Sequence, residues 1–198
     1  QIGLAETMYA GDNNDWLSHM MENTPGDNSG EGYGCIFAND RFPGIMLAYT
    51  GVLGEVVKAD VASMSTYKLR NFKCPSDTVN CTDKAGVSGA TDWAAVCSYI
   101  YHRASSDTWA TAYGYKDSSG NPVPRSIVGR HNPDATIWNE HSSGTSKAYK
   151  GTTTGTPNHP KNTNALALGG NVKSKVVNDS TKDKSGDPAV WAVYTDEL

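Results

Sequence analysis

Two alternating runs flank a pair of glycines toward the end of the chain: Asn164-Ala165-Leu166-Ala167-Leu168, then Gly169-Gly170, then Asn171-Val172-Lys173-Ser174-Lys175-Val176-Val177. Side chains on a strand alternate between faces, so a period of two on both sides of a turn signal predicts an antiparallel hairpin. The turn expected is a two-residue type I′ turn, which needs positive φ at both central positions. Glycine adopts that conformation without steric cost.

Other segments repeat the strand pattern. Trp93 to His102 alternates Trp93, Ala95, Cys97, Tyr99 and Tyr101 against Ala94, Val96, Ser98, Ile100 and His102, a run rich in β-formers. Thr108 to Tyr115 is expected as a second strand, Ala135 to Trp138 as a third launched from Asn132-Pro133-Asp134, and Ala189 to Thr195 as a last strand closing the sheet. The beginning reads differently. Ile2, Ala5 and Tyr9, with Leu4 and Met8 beside them, follow a helical period up to Ala10, where Gly11 and Asp12-Asn13-Asn14-Asp15 signal a stop. Phe42 to Ser65 returns to a helical pattern, with Leu47, Val52, Val56, Ala59 and Met64 on one face. Residues 22–34 and 141–158 read as exposed loops, from their glycine, proline, serine and threonine content. Helix first and antiparallel strands afterwards predict an α+β class, in one domain spanning 1–198.

Ten Tyr and five Trp argue for a packed interior, whereas 20 Gly and 9 Pro require many turns. The formal net charge is −4, and the 17 Lys and Arg are scattered rather than gathered into the basic stripe that nucleic-acid binding needs. No stretch approaches the ~18 apolar residues of a membrane span. The opening helix starts without a Ser, Thr, Asp or Asn cap, as a helix cut from a longer one would. The expectation is that an apolar helical segment precedes Gln1. Cys35, Cys74, Cys81 and Cys97 lack the CxxC spacing of zinc sites, and their even number suggests two disulfides in an oxidising compartment. Of the three possible pairings, Cys74–Cys81 with Cys35–Cys97 is favoured.

Motifs for catalysis are missing. Gly86-Val87-Ser88-Gly89-Ala90 lacks the last glycine of a nucleophile elbow, and Ser65-Thr66-Tyr67-Lys68 lacks the companion motifs of a Ser-x-x-Lys enzyme. Gly30-Glu31-Gly32-Tyr33-Gly34-Cys35 lacks the final glycine of a dinucleotide fingerprint. No catalytic or cofactor-binding residue is therefore expected. Hard cations such as calcium prefer oxygen ligands, and Asp12, Asp15, Asp117, Asp179, Asp183 and Asp187 lie in turns that can offer them, although none follows an EF-hand spacing.

Several of these segments, in this order, resemble the prepilin-type proteins with a His-x9-Asp-Gly signature, whose heads are similar to type II secretion pseudopilins. Met8-Tyr9-Ala10-Gly11-Asp12-Asn13 resembles the family's Tyr-Ala-x-Asp-Asn segment, and Cys74-Pro75-Ser76 its Cys-Pro-Ser element. Ser98-Tyr99 resembles the Ser-Tyr strand, and Pro133 through Glu140 the Pro-to-acidic strand. His159 is followed, after nine residues, by Gly169-Gly170, so glycine stands where the signature has Asp. The resemblance implies a pilin-like fold, with a truncated N-terminal helix on an antiparallel sheet carrying long loop insertions. It also implies a structural subunit of a secretion pseudopilus. Such a subunit would face the periplasm, anchored in the inner membrane by a helix upstream of Gln1. Its partners would be copies of itself, other pseudopilins, the inner-membrane secretion platform and, for the precursor, a prepilin peptidase. For His159 the implied role is structural, a ring that packs or hydrogen-bonds near the hairpin base.

Two other classes compete. A carbohydrate- or ligand-binding module would use surface aromatics such as Trp16, Trp109, Trp138 and Trp191, and a secreted hydrolase would need a site with none of the motifs above.

Overall fold

The computed structural model describes residues 1–18, 31–37, 71–78, 81, 95–140, 158–159, 161–177 and 188–196. Within them the order is α1 (Ile2–Asp12), β1 (Gly32–Phe37), β2 (Ala95–Arg103), α2 (Asp107–Ala112), β3 (Thr136–Glu140), β4 (Asn162–Ala167), β5 (Val172–Val176) and α3 (Pro188–Asp196). The five strands form one sheet in the order β1-β2-β3-β4-β5, with every neighbouring pair antiparallel. The class is α+β. None of the helices among the described residues is long and apolar enough to cross a membrane.

The sheet carries a helix on each face. On one face, the Trp138 indole donates to Glu6 of α1 at 3.2 Å, and Gly3 comes so close to Leu166 that a Cβ there would lie 3.1 Å from its side chain. On the other, Thr136 meets Thr195 of α3 at 2.8 Å and Lys175 donates to the Tyr194 carbonyl. Thr136 and Trp138 would share a face in a regular strand. A bulge between them shifts the register against β4 and turns the two side chains to opposite helices. Under α3, Ala192 joins Ala104, Ala110 and Tyr115 in a small apolar core. Arg125 crosses this region, its guanidinium 4.0 Å from the Tyr115 ring centroid and paired with Asp196 at 2.8 Å.

Several expectations need correction. Thr108 to Tyr115 does not form a strand; the short helix α2 occupies most of it, with the Ser106 hydroxyl accepting from the Trp109 amide as an N-cap. The β-favouring Thr, Trp and Tyr residues gave way to that cap and to Asp107 in the first turn. Ala189 to Thr195 is likewise helical. Pro188 begins α3, as proline does well in a first turn, and the buried residues Trp191, Ala192 and Thr195 have helical spacing. Gly32 to Gly34, expected in a loop, pair with Arg103 to Tyr101 in β1. Helix α1 runs through Gly11 and stops at Asp12, with Asn13 as its cap. The Phe42–Ser65 helix, the loop at 141–157 and residues 22–30 lie outside the described residues.

The hairpin forms, but not through a type I′ turn. Gly170 donates to the Ala167 carbonyl and Ala167 to the Asn171 carbonyl, enclosing a three-residue loop, Leu168-Gly169-Gly170. Only Gly170 has positive φ, at 87°. This is a turn followed by a left-handed residue, the usual three-residue hairpin. Gly169 is needed for a different reason: its amide donates to the Pro133 carbonyl at 2.8 Å, and a Cβ would lie 3.1 Å from that oxygen.

Candidate functional site

At the edge of the α1 face, three side chains from distant parts of the chain converge. Cys74 follows Phe72 and Lys73 in a loop, Glu140 ends β3, and His159 precedes β4. His159 Nε2 lies 3.5 Å from Cys74 Sγ and 3.2 Å from Glu140 Oε1. One ligand atom from each residue falls within 4.8 Å of the other two. Cys74 and Glu140 are buried, while the His159 side chain keeps 25% of its exposure. Burial is the main cause that pushes the Cys74 thiol up, and the adjacent Glu140 carboxylate adds to it.

The backbone around β2 sets this arrangement. Cys74-Pro75-Ser76-Asp77 closes a turn, with the Asp77 amide donating to the Cys74 carbonyl at 2.9 Å and Pro75 at the position where its fixed φ suits a turn. Ser98 then ties three segments together. Its amide donates to the Phe72 carbonyl, its hydroxyl to Asp77 Oδ2, and its carbonyl accepts from Asn158 Nδ2 at 2.7 Å. The loop bearing Cys74 and the residue next to His159 are thus pinned to one position of β2. Tyr99, beside it, lies opposite Glu140 in the β2–β3 register. Burial, then the acidic groups of Cys74 and Glu140, pushes the Tyr99 hydroxyl well up. Glu140 is oriented from the other side: its Oε2 accepts from the Asn164 amide at 3.2 Å and from Asn164 Nδ2 at 3.1 Å. Tyr99, Glu140 and Asn164 also line an open cleft of about 710 Å³ that reaches Ile2, Leu4 and Thr7 of α1.

Among the residues singled out by sequence, the structure brings together Cys74, Pro75, Ser98, Glu140 and His159. It does not bring Gly169 and Gly170 to them. His159 lies at the open end of the β4–β5 hairpin and the glycines at its tip, separated by the length of β4, roughly 20 Å for six residues. The disulfide expectation also changes. Cys74, Cys81 and Cys97 are buried thiols, so neither the Cys74–Cys81 nor the Cys35–Cys97 bridge is formed. Cys74 Sγ turns to His159, and Cys97 Sγ donates to the Tyr99 carbonyl at 3.0 Å. The side chain of Cys35 lies outside the described residues.

Of the calcium candidates, Asp117 closes its own loop: its carboxylate accepts from the Ser119 and Asn121 amides and from Asn121 Nδ2, which holds it below the usual carboxylate range. Asp12 and Asp15 are exposed at the end of α1. Asp179, Asp183 and Asp187 lie outside the described residues. Trp138 and Trp191 are buried, and Trp16 and Trp109 are partly so.

Two buried groups escaped the sequence reading. Glu6 sits inside α1's packed side, accepting from the Ser18 amide and hydroxyl as well as from Trp138. Burial raises its pKa from 4.5 to about 7. His102 is enclosed between the Tyr115 hydroxyl and Asn139 Oδ1, and burial lowers its pKa from 6.5 to about 3. Its Nε2 donates to Asn139, which leaves Nδ1 to accept from Tyr115. The sequence placed His102 in the alternating run from Trp93, but Asn139 falls just past the expected strand Ala135 to Trp138, so nothing paired the two. Comparison with family models, curated proteins and solved structures finds no match for this chain.

Proposed function

We propose that this chain is the head of a pseudopilus subunit of a type II secretion-like system, acting by assembly rather than catalysis. The observation that carries this reading is the split character of α1. Ala5, Glu6 and Ala10 are buried against the head, whereas Leu4 and Met8, one turn apart on the outer side, keep 65% and 49% of their exposure. A helix that is apolar on its outer side as well as its inner side suits a rod that packs against neighbouring rods. The resemblance to His-x9-Asp-Gly prepilin-type proteins supports the same reading, as does the placement of the first helix over an antiparallel sheet.

In this proposal a helix upstream of Gln1 anchors the subunit in the inner membrane before assembly. The head faces the periplasm, and its partners are copies of itself, other pseudopilins and the secretion platform. Apolar burial contributes ~25 cal/mol per Å², so even two side chains repeated along a fibre add usefully to subunit contacts. The full-length gene product carrying Leu4→Cys or Met8→Cys is expected to give cross-linked ladders in envelope fractions with a short bis-maleimide. Adding Leu4→Glu to the Met8→Cys variant is expected to abolish the ladders while the isolated head still folds. Full-length protein that stays monomeric and soluble in the periplasm would refute the proposal.

A further inference from the structure

We propose that Cys74, Glu140 and His159 form a binding site for one divalent transition-metal ion of the zinc type. This goes beyond the assembly role and does not depend on it. The donor set is sulfur, nitrogen and oxygen, which zinc accepts together and calcium or magnesium does not.

Two of the three donor separations match the ion, and the third lies within 4.8 Å. A tetrahedral zinc centre with ordinary Zn–S, Zn–N and Zn–O bonds has edges of roughly 3.5 Å from sulfur to nitrogen and roughly 3.3 Å from nitrogen to oxygen. The observed separations are 3.5 Å from Cys74 Sγ to His159 Nε2 and 3.2 Å from that nitrogen to Glu140 Oε1. A single ring nitrogen addresses both other donors. That arrangement differs from a nucleophile–base–acid triad, in which the two partners take opposite nitrogens of the ring.

Charge leads to the same conclusion. On metal binding the Cys74 thiol loses its proton to solvent, His159 binds as neutral imidazole, and Glu140 binds as a carboxylate. Thiolate, carboxylate and a divalent cation sum to zero net charge, which a largely buried site tolerates. Three protein donors leave one tetrahedral position for water or a further ligand. The outer supports are also those of a metal site, since Asn164 fixes Glu140 through its second oxygen, and Ser98 fixes the segments bearing the other two ligands.

The test uses the whole chain, stripped of metal with a chelator and kept reduced. Titration with zinc chloride, followed by calorimetry, is expected to show one ion per chain. Cobalt(II) is expected to give thiolate-to-metal charge transfer in the near ultraviolet and visible bands of tetrahedral intensity. Cys74→Ser should remove the charge-transfer band, and His159→Gln should weaken binding at least as much as Asn164→Ala, whose loss is expected to be about tenfold or more. Calcium chloride in large excess should not displace the zinc. Folded wild-type protein that takes up no zinc at micromolar concentration would overturn the proposal, as would uptake that Cys74→Ser leaves unchanged or that calcium reverses. Should the variants fail to fold, the cobalt spectrum of the wild type decides alone: binding without a thiolate band excludes Cys74 as a ligand.

Discussion

Ser98 is a small residue with an unusual share of the work in this protein, because its amide, hydroxyl and carbonyl each hold a different segment. Its hydroxyl bonds a buried carboxylate, Asp77, which also accepts from the Cys81 amide at 2.9 Å. Hydrogen bonds to charged groups are worth more than neutral ones, so Ser98→Ala is expected to cost about 2 kcal/mol in urea unfolding. A variant within a few tenths of the wild type would show that the loop bearing Cys74 is held by other means. At this scale the sequence was partly legible. Cys74, Ser98, Glu140 and His159 each lay in a segment that could be singled out, but their convergence could not be foreseen. They come from stretches far apart in the chain, and only the antiparallel register and the Ser98 bonds bring them to one place. Glu6 gave no signal at all, since an acidic residue on a helix is ordinarily assigned to solvent.

At the scale of elements, the hairpin shows how a correct expectation can rest on the wrong turn. The alternation of Ala165, Ala167, Val172 and Val176 specified two paired strands, and they pair in the expected direction. Two adjacent glycines suggested two positive φ angles, yet only Gly170 has one. Gly170→Ala is therefore expected to lower stability by about 1 kcal/mol, and Gly170→Asn by less, since Asn tolerates the left-handed region better. Gly169→Ala is expected to destabilise through contact with Pro133 rather than through backbone strain. Thermal melting of the three variants tests this, and an Ala at 170 that melts like the wild type would contradict the turn described. The strand forecasts at 108–115 and 189–195 failed for a related reason. β-favouring composition is a weak signal in short segments, and a cap at Ser106 or a proline at 188 overrides it.

For the whole molecule, the two faces of the sheet hold buried groups that respond to acid in opposite senses. Glu6 keeps its proton in the folded state up to about pH 7, whereas the unfolded chain loses it near 4.5. Folding is therefore favoured by Glu6 below that window, and the benefit disappears as pH rises from about 4.5 to about 7, a change of about 3 kcal/mol at most. His102 stays neutral in the fold down to about pH 3, while the unfolded chain takes up a proton near 6.5. Its contribution is complete above about 6.5 and is lost as pH falls toward 3. Between about 4.5 and 6.5 the two slopes oppose each other, and their part of the stability profile is expected to be nearly flat. Glu6→Gln should expose the His102 limb, so that stability falls steadily on acidification from about pH 6.5. Denaturant unfolding across pH measures this directly, and an unchanged profile in the variant would show that Glu6 does not titrate as its burial requires.

The bulge in β3 has a consequence for how this protein can vary. With one surplus residue between them, Thr136 sends its hydroxyl to the last helix and Trp138 its indole to the first. Deleting Ile137 would make the two direct neighbours, which an even pleat points to opposite faces, so both helices would keep their anchors and the pairing with Ala167 and Leu166 would become regular. The cost of that deletion would lie instead in the lost packing of the Ile137 side chain, which is 2% exposed.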